Sequence, residues 1–341
     1  MTYKLYYTLD YEIHGNGDGN PYQLLVEPTY RLMDLLEQYG QRLIIMADVA
    51  EILCFRRYRD NIGKDNFYVA EIEQQLCDAI RRGHDVQLHI HSSYFGAEWR
   101  DGYFDQCIEE YNMAALPYER IRDMVGQCVA YLENLLRPVK FDYRVWLYRA
   151  ANWSMMPTPT LYRVLTEYGI THDTSVYKGG CQGGNVCYDY RNAHDNLLSY
   201  IASAENINQY DPKGTITEMP IYTEMRPFWD FVSPIRIFRM VRAKFHTHKH
   251  NEQTTPAQAT ADKNDNRKLS LRSFFVKSPL KMDFNQVNGR GLIRMMKNIM
   301  RRAESENLSH VDVVMIGHSK TFVPYNEKTL RPFLEWVEKN L

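Results

Sequence analysis

The chain has 341 residues, a formal net charge of −1 and 44% hydrophobic residues. A chain of this length can bury roughly three quarters of its unfolded surface, so it needs no staples, and its near-zero charge argues against a general electrostatic nucleic-acid binder. No apolar run approaches the roughly 18 residues of a membrane helix, and residues 1–10 lack the order of a secretory signal, so cytoplasmic residence is expected.

A strand is predicted over 3–9, rich in Tyr and Leu. Glu27-Pro28 opens a helix because Pro fits the first helical position; Leu32, Leu35, Leu36 and Tyr39 recur at helical spacing, and Gly40 supplies the stop. The apolar run 43–47 reads as a buried strand. A helix over 69–82 ends at Gly83, a strand follows over 86–91, and a long amphipathic helix covers 117–136. Strand 145–148, helix 160–168 with Gly169 at its end, and strand 170–173 continue the alternation, which is the punctuation of β/α units around a parallel sheet. After Asp173 the pattern loosens. Residues 178–187 form a Gly-rich loop and 215–222 read as a strand. Residues 246–268 are polar and aperiodic, a mobile surface insertion in which His246, His248 and His250 have no element to fix their geometry. A helix over 292–306, the most apolar strand over 311–316 and a last helix over 330–340 complete the chain. The expectation is a single α/β domain spanning 1–341.

The cysteines, Cys54, Cys77, Cys107, Cys128, Cys181 and Cys187, form no CxxC pair, which argues against a zinc ribbon and for reduced thiols.

Chemistry concentrates at the C-terminal ends of predicted strands, the edge where α/β folds place active sites. Asp10 and Glu12 project to one face of the first strand with Tyr11 opposite, a pairing that suits a base plus a metal ligand; the plain alternative is a polar turn. His89 and His91 share a face of the third strand and can reach one divalent ion. Arg149 follows an apolar strand and is poised to clamp the Asp10 carboxylate, or else lies on a solvated rim. His318 ends the last apolar strand, with Gly317 allowing close backbone approach and Ser319 able to hydrogen-bond it. No Gly-x-Ser-x-Gly elbow occurs, which weakens a serine-hydrolase reading.

Taken in order, Thr-Leu-Asp-Tyr-Glu-Ile, His-Asp-Val-Gln-Leu-His-Ile-His, Arg149, Asp-Thr-Ser-Val-Tyr-Lys-Gly-Gly and Ile-Gly-His-Ser-Lys resemble the polysaccharide deacetylases (NodB homology, carbohydrate esterase family 4), in particular their WbmS-like branch associated with surface-polysaccharide biosynthesis. The resemblance spans most of the chain apart from 246–268. It implies a distorted (β/α)7 barrel, one divalent metal ion such as zinc, and hydrolysis of an acetyl group from a sugar. Under it Asp10 is the base, Arg149 holds that base, His318 is the acid, and His89 is the first metal histidine. Trp153, Ser319 and Asp173 are assigned to substrate binding.

Two positions depart from that pattern. Tyr11 stands where the family has a second Asp, and Ser93 where it has its second metal histidine. The metal site is therefore either rebuilt from Glu12, His89 and His91, with or without Asp10, or lost. The rivals are a barrel that binds a glycan or metal without turnover, and a metal-dependent amidase acting on a non-sugar substrate.

Overall fold

The first strand, β1 (Thr2–Tyr11), is exposed or half-buried where it begins and fully buried from Tyr7 onward, so its C-terminal end lies inside the protein. It is flanked on one side by β2 (Leu43–Asp48), every residue of which is buried, and on the other by the long final strand β7 (His310–His318). Continuing from β2 come β3 (Asp85–Ile90), β4 (Leu147–Ala150), β5 (His172–Asp173) and β6 (Ile216–Glu218), all in parallel register. Strands buried on both faces read as continuous apolar runs, as β2 and the middle of β7 do. The structure, a computed structural model, describes residues 1–13, 19–194, 197–227, 230 and 277–341. The expected insertion at 246–268 lies outside them.

Beyond β6 the sheet adds one antiparallel strand, Tyr200–Ala202, and the ring closes on β7 through short irregular pairings. Ile221 bridges Val314 in parallel, and the Tyr222 N–H donates to the Val314 carbonyl at 3.0 Å. Next to it, Met282–Phe284 lies along β7, with Ile316 N–H to Met282 O at 3.1 Å and Phe284 N–H to Ile316 O at 3.0 Å. The result is a distorted barrel of the (β/α)7 type, with the seam between β6 and β7 made by bridges instead of a full ladder. Gly317 lies on that seam: a Cβ there would sit 2.0 Å from the Phe284 ring, so only glycine admits the approach.

Helices α1 (Glu27–Glu37), α2 (Val49–Ile62), α3 (Val69–Arg81), α4 (Tyr118–Leu136), α5 (Thr158–Glu167), α6 (Gly289–Ser305) and α7 (Pro324–Asn340) bury their apolar stripes in the core. In α4 the stripe is Ile121, Met124, Val125, Cys128 and Leu132, at helical spacing. None of the described helices is long and apolar enough to cross a membrane.

Three elements differ from the sequence expectation. α2 is absent from it because only the N-terminal half of that helix is buried, which leaves a weak periodic signal; the helix starts where the Asp48 carboxylate accepts the Glu51 N–H. α7 begins at Pro324 and carries Pro332 within it, where a start near 330 was expected. β4 extends through Ala150, so Arg149 is inside the strand and not beyond it. All six cysteines are free thiols, with Cys181 and Cys187 exposed.

Candidate active site and metal centre

The pairing registers bring the sequence candidates together. Asp10 is aligned with His318 across β1 and β7, and Asp48 with His89 across β2 and β3, while His89 is aligned with Arg149 across β3 and β4. Parallel strands with matched ends deliver these side chains to one rim.

Arg149 has no solvent exposure and is fully engaged. Its Nη1 donates to Asp10 Oδ1 at 2.5 Å, Nη2 to Thr8 Oγ1 at 2.8 Å, and Nε to the Thr174 carbonyl at 3.0 Å. A guanidinium in the core is tolerated only when its donors are satisfied and its charge is paired. Burial alone would raise the Asp10 pKa, but Arg149 and then His318 outweigh it and hold the carboxyl below its ordinary value. The His318 Nε2 lies 3.5 Å from Asp10 Oδ2. The backbone of His318 is locked by Asn285, whose Oδ1 accepts its N–H at 2.8 Å and whose Nδ2 donates to its carbonyl at 3.2 Å. Burial pushes the His318 pKa down, against the pull of Asp10.

Glu12 follows β1 and is buried. Its Oε2 lies 3.1 Å from His89 Nε2 and 2.7 Å from His91 Nε2, while Oε1 accepts from Lys320 Nζ at 2.9 Å. One ligand atom from each of Glu12, His89 and His91 lies within 4.8 Å of the others. The His89 Nδ1 faces the Arg149 carbonyl at 2.8 Å, so that nitrogen carries the hydrogen and Nε2 presents its lone pair to Glu12. The His89 lone pair turned toward a carboxylate oxygen needs a cation between them. Where that cation is a proton, burial opposes it, but Glu12 and Asp10 raise His89 to about 9. A borderline-soft divalent ion fits the same donors, two neutral imidazoles and one carboxylate. Glu12 keeps its charge despite burial because Lys320 and His91 hold its pKa well below the usual range.

Tyr11 turns to the opposite face of β1 and donates to Gln75 Oε1 at 2.9 Å, and Ser93 donates to Gln106 Oε1 at 2.6 Å. Neither belongs to the Glu12, His89 and His91 group.

The residues assigned to substrate binding fare differently. Trp153 is half-buried beside His318, with ring centroids 6.4 Å apart. Ser319 is buried, its Oγ 3.5 Å from the Asp10 carbonyl. Asp173 corrects the expectation: it has no exposure, and both its oxygens accept from Ser175, so it offers a substrate nothing. It is aligned instead with the equally buried Glu218.

Several participants escaped sequence reasoning. Lys320, Asn285, Thr174 and Asp48, whose Oδ1 accepts the His91 N–H at 3.1 Å, all support the site. Asp48 carried a signal, a carboxylate at the C-terminal end of an apolar run; Asn285 carried none.

No protein-family model matches the sequence, and no curated protein matches it. Among solved structures the fold is similar to that of a protein described as a polysaccharide deacetylase from Mycobacterium smegmatis (TM-score 0.49, 13% identity, 99% of this chain and 85% of that one). It is also similar to that of Puue allantoinase (TM-score 0.47, 13% identity, again 99% and 85%). Similarity at this level identifies neither a family nor an activity.

Proposed function

We propose that this protein is a metal-dependent hydrolase that removes an acetyl group from a sugar, in the cytoplasm and in the service of surface-polysaccharide biosynthesis. The observation that carries the reading is the pairing of Asp10, ionised by Arg149, with His318 on the same rim as Glu12, His89 and His91. The sugar and the pathway rest on the sequence resemblance, and the cytoplasmic setting on six free thiols.

Glu12, His89 and His91 would hold a divalent ion, with zinc suited to the donor set, and such an ion supplies Lewis acidity at the acetyl carbonyl and lowers the pKa of water. Asp10 takes the proton of the attacking water through the oxygen not clamped by Nη1 of Arg149. Arg149 fixes that carboxylate in place and keeps it in the basic form. His318 gives a proton to the leaving amine or alcohol; its lowered pKa makes it a readier donor but a less populated acid at neutral pH. Trp153, beside His318, offers an aromatic wall for a sugar ring.

A metal-binding barrel without turnover is the competing reading, favoured by Tyr11 and Ser93 standing outside the ligand group. Elemental analysis of the purified protein, followed by acetate-release assays on acetylated nucleotide sugars and lipid-linked sugars, separates the two. One bound divalent ion with acetate release supports the hydrolase; a tightly held ion with no release from the whole panel overturns it.

A further inference from the structure

Lys281 ends the strand Ser278–Lys281 and immediately precedes the segment that closes the barrel on β7. Its Nζ sits 3.2 Å from the centroid of the Trp153 ring and 4.3 Å from that of Tyr177. The two rings are perpendicular, with centroids 5.6 Å apart, and the other edge of the cluster is His318. Among the described residues the ammonium makes no hydrogen bond and pairs with no carboxylate; Asp283 and Asp10 act on it only through space. Ring faces attract a cation but do not neutralise it. Lys281 is half-buried, and a charge drawn partly out of water onto ring faces without an anion is costly unless a ligand completes the pair.

The loop supporting this cation is itself incomplete. Asn152 and Trp153 both have positive φ, 50° and 58°, an unfavourable conformation for such side chains. Asn152 Nδ2 and Trp153 Nε1 are buried donors without an acceptor among the described residues. An uncompensated cation, two unpaired N–H donors and a strained turn thus meet next to the proposed acid.

We infer that Lys281 anchors a substrate subsite for an oxyanion, so that the acetylated sugar carries a carboxylate or a phosphate close to the bond that is cut. The assignment of the ligand as a sugar rests on the hydrolase reading; the need for an anion does not. Burial lowers the Lys281 pKa to about 8, and an incoming anion would restore the charged form. Lysine acts here as a point charge, which suits either anion.

The test is calorimetric titration of the purified protein with N-acetylglucosamine, its 6-phosphate and its uronic acid. The titrations use the wild type, Lys281→Gln and Lys281→Arg, each checked for an unchanged melting temperature. Removing one charge-assisted contact is worth roughly a ten- to hundredfold change in affinity. The wild type should bind at least one charged sugar tighter than the neutral one by that factor. Lys281→Gln should erase the preference and Lys281→Arg should keep much of it. The phosphate and uronate arms distinguish the two anions. Equal affinity for all three sugars, no binding of either charged sugar, or a preference that survives in Lys281→Gln overturns the subsite. Acetate release is followed in the same samples and on the nucleotide-sugar and lipid-linked panel: a charged preference that depends on Lys281 without any release from either retires the hydrolase reading and leaves the subsite standing.

Discussion

Asp10 and His318 face one another across the parallel ladder of the first and last strands of the barrel, register partners with Oδ2 and Nε2 3.5 Å apart. They are 308 positions apart in the chain, and the parallel pairing of β1 with β7 makes them neighbours. A carboxylate beside a histidine at the rim of a parallel barrel, each held by a separate partner, is the arrangement a base and an acid require.

Asp10→Asn and His318→Ala should each lower turnover by roughly 10²–10⁴ while substrate binding changes much less. A donor must be protonated to act, and burial holds His318 below its ordinary value of 6.5. The descending alkaline limb of kcat/KM should therefore lie below that value and disappear in His318→Ala. Kinetics over a pH series, paired with melting temperatures, check this. A folded His318→Ala with wild-type turnover would show that the residue only ends its strand.

Metal retention separates ligands from bystanders. The wild type should keep one divalent ion through dialysis, whereas His89→Ala, His91→Ala and Glu12→Gln should lose it. Tyr11→Phe and Ser93→Ala should retain it, because those side chains turn to Gln75 and Gln106. Elemental analysis by mass spectrometry reads the result; loss of the ion in Tyr11→Phe would contradict the ligand set.

Arg149→Met leaves the Asp10 charge buried without its partner. Removing one member of such a pair costs about 3–5 kcal/mol. Chemical denaturation should show a loss of that size, and adding Asp10→Asn should recover part of it, since the uncompensated charge is then gone. A double variant no more stable than Arg149→Met would place the loss in packing.

The buried pair Asp173 and Glu218 gives a pH signature. Burial first, and the nearby Asp173 second, hold the Glu218 carboxyl well above its ordinary value. A carboxyl raised in this way favours the fold while protonated, and that contribution is lost as pH rises through its folded value. Glu218→Gln keeps the shape and the neutral state. It should be more stable than the wild type at about pH 9, by about 1.4 kcal/mol for each unit by which the folded pKa, or the pH where that is lower, exceeds the ordinary carboxyl value, and similar to it at about pH 5. Melting temperatures at the two pH values check it; a destabilised variant at both would show that Glu218 is not held protonated by its surroundings.

The local pattern of the chain determined much of this. Alternation of apolar runs with Gly-terminated helices was enough for a parallel sheet of β/α units, because apolar strand runs and helical stripes are written in short windows, while the barrel was implied only by the family resemblance. The period of two along a strand likewise put Asp10 with Glu12, and His89 with His91, on common faces. Tertiary structure decided what those faces meet. Only the assembly of the strands sets Asp10 against His318, turns Arg149 inward from within β4, seats Lys320 on Glu12, and presses Lys281 between Trp153 and Tyr177. It also withdrew Asp173 from the site by burying it beside Glu218. These are contacts between residues far apart in sequence, and their energies depend on burial and partner charge, quantities that exist only once the strands have been brought into register.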